Sequence, residues 1–224
     1  MPVLHYHPLS SYCQKVCIAI EVLEASIELR FLDLARAEVR TELNALWPLG
    51  KIPLLVDQGR VIPESSIIIE YLQHASNGPR LIPGNTEEAL EVRLWDRFMD
   101  NHVMTPMQVF TANLLKPEGK RDADATAAAR QTLLTSYGLI DRQLEGRLWI
   151  AGDGFSLADC AAAPALFYAV TYVPLPAELQ RLSAYFERLM DHPAVAAVIN
   201  AARPYFKYYP GRAGLSCRFR GQDD

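Results

Sequence analysis

Two prolines and two glycines fall within ten residues in "NGPRLIPGNT", 77–86. Such a stretch cannot run through the interior of a helix or strand, because proline removes a donor and glycine favours a bent backbone. It also marks a change of pattern. Before it, apolar residues alternate in some segments and follow a helical spacing in others. After it, no good strand pattern occurs. The chain therefore reads as two domains: mixed α/β over 1–78, then all-α over 87–224. At 224 residues there is enough chain for a sizeable core.

In the first part, "VLHYH" (3–7) alternates and stops at Pro8, as a strand does. Cys13, Val16, Cys17, Ile20 and Leu23 then share one helical face. Ser11 and Gln14 have capping-box spacing, which starts this helix just after Ser11. "SIELRFLDL" (26–34) reads as a second strand and "RAEVRTELNALW" (36–47) as a short helix ended by Pro48. "IPLLVD" and "GRVIPE" form a hairpin around Gln58 and Gly59, and "SSIIIEYLQHA" (65–75) is again helical. The order βαβ, α, ββα is that of a thioredoxin-like domain. In the second part, helical spacing covers about 86–115, 123–145, 156–171, 177–191 and 194–203. The tail "YPGRAGLSCRFRGQDD" carries too little apolar content for a core element.

Composition narrows the function classes. The chain is 50% hydrophobic and 21% charged, with net charge −4, which argues against disorder and against a basic nucleic-acid surface. No apolar run approaches the roughly 18–20 residues of a membrane helix. The opening "MPVLHYHPLS" lacks a signal peptide's basic and apolar regions. Four cysteines in a chain of this size do not make a disulfide framework, so a reduced cytoplasm is the expected compartment.

Three motifs can carry chemistry. In "KIP", Lys51 to Pro53, the backbone before the proline can pair with a bound peptide as an added strand, and a cis bond there would aim it at the ligand. In "PESS", Pro63 to Ser66, Ser65 can offer its hydroxyl and N–H to a carboxylate at a helix start, and Glu64 can accept an ammonium group. Together they suit an α-amino acid. Helix capping is the simpler use of the same residues. In "SSYC", Ser10 and Ser11 precede Cys13 at a helix start, where a thiol can be activated; core packing is the default for Cys13 and Cys17. "SLAD", Ser156 to Asp159, reads as a structural capping box, with Phe155 as a hydrophobic staple and Cys160 as a small buried residue. His5 and His7 lack further ligands at a recognisable spacing, so no metal site is expected.

Taken in order, "SSYCQKVCIAI", "WPLGKIPLLVD", "VIPESSIIIEYL", "DRFMD" and "FSLADCAAAPAL" resemble a cytosolic glutathione transferase over almost the full chain. The resemblance is to the serine-type classes (zeta, theta and delta) and to bacterial members. It implies a thioredoxin-like glutathione domain, a helical domain with an apolar substrate site, a homodimer, and glutathione as co-substrate with no metal. By position, Ser10 resembles the serine that contacts the glutathione sulfur, with Ser11 as the alternative if the alignment slides by one. Glutaredoxins and omega-type transferases have a cysteine there. Ile52 resembles the residue that pairs with the cysteinyl backbone, followed by Pro53. Glu64 and Ser65 resemble the γ-glutamyl clamp, and Lys51 the residue that reaches the glycyl carboxylate. Asp96 or Asp100 is placed to reach the partner's glutathione. Tyr12 stands where zeta members have a cysteine, which argues against their isomerase activity. Tyr12, Met104, Met107, Gln108 and Phe110 are candidates for the electrophile pocket. The implied reaction is attack of the glutathione thiolate on an apolar electrophile. The alternatives are a glutathione-dependent disulfide reductase or peroxidase, and a non-catalytic binding protein of the same fold.

Overall fold

The computed structural model describes residues 1–219 except Asn77. It divides into two compact units, Met1–Leu81 and Ile82–Asp224.

The first unit runs β1 (Val3–Tyr6), α1 (Ser11–Leu23), β2 (Glu28–Phe31), α2 (Ala37–Leu46), β3 (Leu54–Asp57), β4 (Arg60–Pro63) and α3 (Ser65–Ala75). The four strands form one sheet in the order β2-β1-β3-β4. β1 is parallel to β2 and antiparallel to β3, and β3 and β4 form an antiparallel hairpin. This is the thioredoxin-like arrangement. Leu4 is paired with Leu29 on one side and Leu55 on the other. Its burial with Leu55, Ile68 and Ile69 marks the core, while Leu54, the neighbour of Leu55 along β3 and so on the opposite face, packs with Leu32 and Leu43. The hairpin turn holds Gln58 and Gly59 at φ 48° and 80°. Two consecutive positive φ angles are what a two-residue hairpin needs to match strand twist.

Local details depart from the sequence reading. β2 is shorter than 26–34, because β1 offers only four residues for pairing and Asp33 begins a turn, accepting from the Ala35 N–H at 3.1 Å. Helix α1 starts one residue earlier than the Ser11–Gln14 box implies. Ser10 is its cap, accepting from the Cys13 N–H at 3.3 Å, and Ser11 is already helical. Gln14 reaches past the cap and donates to the Pro8 carbonyl at 2.8 Å. The buried set on α1 is also wider than one stripe, and includes Gln14, Lys15, Ile18 and Ala19.

The second unit holds α4 (Thr86–Phe98), a π-helical segment (Met99–Met104), α5 (Thr105–Leu114), α6 (Ala123–Gln143), α7 (Leu157–Tyr172), α8 (Gln180–Asp191) and α9 (Pro193–Ala202). The expected helix over 86–115 is thus one run with a wider turn inside it. Pro106 explains the change. It has no N–H to give to the His102 carbonyl, which accepts from the Ser136 hydroxyl at 2.9 Å instead. The Thr105 N–H bonds five residues back, to Asp100. Helix α7 is buried from Leu157 through Ala169, and its run of alanines lets its neighbours approach closely. The tail is a correction. Tyr209, Leu215 and Phe219 are buried, Phe219 lies edge-on to Phe167 at 5.1 Å, and Gly214 sits where a Cβ would lie 2.0 Å from the Thr171 carbonyl oxygen. Few apolar residues suffice because each is placed against the α7 core. The last five residues of that tail, and Asn77 of the linker, lie outside the described residues. Among the described residues, no helix is long and apolar enough to cross a membrane.

Candidate functional site

The sheet register brings the motifs of the first unit to one end. His5 of β1 is opposite Leu54 of β3, and Leu54 is opposite Pro63 of β4. The end of β1, the start of β3 and the end of β4 therefore lie side by side. The segments leaving that row are Pro8–Ser11, Lys51–Pro53 and Glu64–Ser65. Segments far apart in sequence meet because β1 and β3 are antiparallel and β3 turns straight back into β4.

Each segment has its own geometry. Ser10 is half-buried at the cap of α1 and Ser11 is buried in its first turn. Lys51 is exposed and Ile52 half-exposed, and the Ile52–Pro53 bond is cis. Ile52 precedes the first paired residue of β3, and its backbone makes no hydrogen bond to the described residues. Ser65 is buried at the start of α3. Glu64 before it is exposed, at φ 69° and ψ 118°, and makes no side-chain cap bond. A glutamate at positive φ costs roughly 1–2 kcal/mol, a strain that clusters at ligand sites. The sequence carries no sign of it, since glycine or asparagine is the usual signal.

Cys13 is fully buried, and burial pushes its thiol up to about 12, although Ser10 and the His7 backbone pull the other way. Burial raises Cys17 too. Burial thus disfavours the thiolate of both. Among the described residues, no group of three His, Cys, Asp or Glu side chains is placed to hold a metal ion.

Sequence reasoning missed Lys15. Its side chain is fully buried and its ammonium donates to the Ser66 hydroxyl at 2.9 Å, joining α1 to the first turn of α3. A lysine beside the apolar run "VCIAI" reads as a solvated edge, and nothing local says otherwise.

The proposed pocket residues of the second unit do not share one role. Met104, the last residue of the π-helical segment, and Met107 are buried in the core; Gln108 is exposed. Phe110 is half-buried and stacks on Tyr172, with centroids 5.2 Å apart. Tyr12 is half-buried on α1. Asp96 and Asp100 are buried, and both carboxylates accept from Arg97, at 3.2 and 2.6 Å. At the start of α7, Ser156 and Asp159 form the expected capping box, and Phe155 stacks on His192 with centroids 4.0 Å apart.

Comparison with known proteins identifies this scaffold. The glutathione S-transferase N-terminal domain model matches residues 4–80, and the C-terminal domain model of the same family matches 98–193. The chain belongs to the glutathione S-transferase family. A crystal structure of a glutathione S-transferase from Methylobacillus flagellatus, with glutathione bound, is similar at 25% identity. Its TM-score is 0.81, over 88% of this chain and 98% of that one. The FtsZ-localized protein A of Caulobacter vibrioides is 28% identical over 88% of this chain and 90% of its own length. A probable glutathione S-transferase of Nicotiana tabacum is 28% identical over half of this chain, which spans 46% of that protein.

Proposed function

We propose that the first unit binds glutathione across the end of its sheet and that the chain is a serine-type glutathione transferase. The observation that carries this reading is the His5–Leu54–Pro63 row, which gathers the serine, KIP and PESS segments. Glutathione has a matching group for each. Its cysteinyl backbone takes the free backbone of Ile52 beside Pro53, extending the sheet. Its γ-glutamyl carboxylate takes the Ser65 hydroxyl and N–H at the positive end of α3, and its ammonium takes Glu64. Lys51 reaches the glycyl carboxylate.

Ser10 then donates its hydroxyl hydrogen to the glutathione sulfur, with Ser11 as the alternative donor. A hydrogen bond to a charged sulfur favours the thiolate, and each pKa unit of lowering is worth about 1.4 kcal/mol. The thiol proton leaves to solvent. The sulfur electron pair makes the new C–S bond with an apolar electrophile, whose leaving group departs with its own bonding pair. A homodimer acting in the cytoplasm is the state in which we expect this chemistry. Sedimentation of the purified chain as a monomer at micromolar concentration contradicts the dimer.

The reductase alternative has two forms. The one that uses Cys13 is disfavoured by the full burial of that thiol, which pushes it up to about 12. The one that uses only glutathione shares the same site. Titration calorimetry with glutathione, the ultraviolet absorbance of the bound thiolate against pH, and turnover on a panel of aryl halides, epoxides and disulfides test the reading. Failure to bind glutathione at millimolar concentration overturns it. Binding without turnover on any electrophile favours the non-catalytic binding protein.

A further inference from the structure

Lys15 is among the largest fully buried side chains of the molecule, and the mechanism above does not use it. It lies in the second turn of α1, five residues after the Ser10 cap. Its ammonium donates to the hydroxyl of Ser66, the second residue of α3, at 2.9 Å. Both residues make further interactions as well. The bond spans 51 positions of sequence and links the two helix starts that carry Ser10 and Ser65. A helix start is the positive end of its dipole, where an anion is favoured and a cation is not. The start of α3 is therefore a place where an anion is favoured. Two features of α3 leave room for one: Glu64 makes no side-chain cap bond, and Ser65 is buried at the first helical position.

We infer that Lys15 is a positioning residue for the carboxylate of the bound γ-glutamyl group, acting through Ser66 to fix the first turn of α3. The inference rests on reading the first unit as the glutathione site. The Ser66 oxygen accepts from Lys15, which holds the side chain against α1. Ser65, the preceding residue, then keeps one orientation towards the ligand, and its hydroxyl is not drawn into a cap.

The test is titration calorimetry with reduced glutathione on the full-length wild type, Lys15→Met, Lys15→Arg and Ser66→Ala, with melting temperatures recorded for each. A positioning role raises Kd about tenfold in Lys15→Met and in Ser66→Ala, with binding sites per chain unchanged. Lys15→Arg keeps the charge and recovers most of the affinity. A purely structural role lowers the number of competent sites and leaves Kd alone, which overturns the inference. So does a folded Lys15→Met or Ser66→Ala that binds like the wild type. If Lys15→Met does not fold, Ser66→Ala decides, since it removes one oxygen and little volume. A wild type that does not bind glutathione overturns the site reading itself and this inference with it.

Discussion

The start of α7 and the start of α3 use the same residue types. At α7, Asp159 is fully buried and accepts from the Ile150 N–H at 3.2 Å, the Ser156 N–H and hydroxyl at 2.9 Å each, and the Tyr185 hydroxyl at 2.6 Å. Every donor around it belongs to the same unit. At α3, Glu64 is exposed, sits at positive φ and makes no side-chain cap bond, and Ser66 is held from behind by a buried lysine. The first arrangement is closed: its acid serves the helix. The second is strained and its acid makes no side-chain cap bond, which leaves that acid available for the ligand role proposed above. An acid near a serine at a helix start thus says little until its burial and partners are known.

That contrast can be broken first at α7. Asp159→Ala should destabilise the fold by about 3–5 kcal/mol, because it leaves the buried Ile150, Ser156 and Tyr185 donors without their acceptor. A guanidinium unfolding midpoint measures it, and a loss under ~1 kcal/mol would show that α7 is not closed. The same acid gives a pH signature. Burial raises its carboxyl from 3.8 to about 6 against the pull of its hydrogen bonds. Between those values the folded chain holds a proton that the unfolded chain has released. Its contribution to stability is therefore largest below 3.8 and falls as pH rises through about 6. Asp159→Asn should flatten that slope.

The opposite behaviour is expected at α3. Glu64→Ala should weaken glutathione binding by roughly 2–5 kcal/mol, the cost of leaving the ligand's ammonium unpaired, while stability changes by less than ~1 kcal/mol. Glu64→Gly should lose binding equally yet melt no lower, because glycine relaxes the positive φ at some entropic cost. Calorimetry and thermal melting on one preparation separate the two effects. If Glu64→Ala unfolds the protein and spares binding, α3 is a second closed cap.

Ser10 combines both behaviours, so its substitution sharpens the comparison. Ser10→Ala removes a cap worth about 0.5–2 kcal/mol and, by the proposed mechanism, a hydrogen bond to the thiolate worth about 1.5–3 kcal/mol. Activity should fall by one to two decades and the pKa of bound glutathione should rise. If Ser11→Ala alone does this, the donor is the neighbouring residue. The smallest effect is expected at Cys13, where alanine should leave glutathione binding and the bound thiol pKa nearly unchanged. In the native protein at pH 8, a thiol reagent should react readily with exposed Cys217 and not with buried Cys13 or Cys160. Fast labelling of Cys13 would restore the thiol-redox alternative.

The sequence by itself determined what depends on neighbours in the chain. Alternation and helical spacing set the element order, Gln58 and Gly59 set the hairpin, Ser156 and Asp159 set the box at α7, and a Pro- and Gly-rich stretch separates the two patterns. The motifs name the candidate site residues, and strand register sets where their segments leave the sheet. Other features were settled only in three dimensions, since their causes are far apart in sequence. Whether Lys15 is solvated or buried depends on α3, 51 residues away. The His102 carbonyl that Pro106 leaves without a backbone donor is met by a hydroxyl from Ser136, 34 residues away. The described part of the tail packs close at Gly214, which fits because it has no Cβ to meet the Thr171 carbonyl. Glu64 has a positive φ because the join between β4 and α3 requires one, and its identity gives no hint of that. Local free energies choose helix, strand and turn; burial, strain and long-range partners are fixed only when distant segments pack.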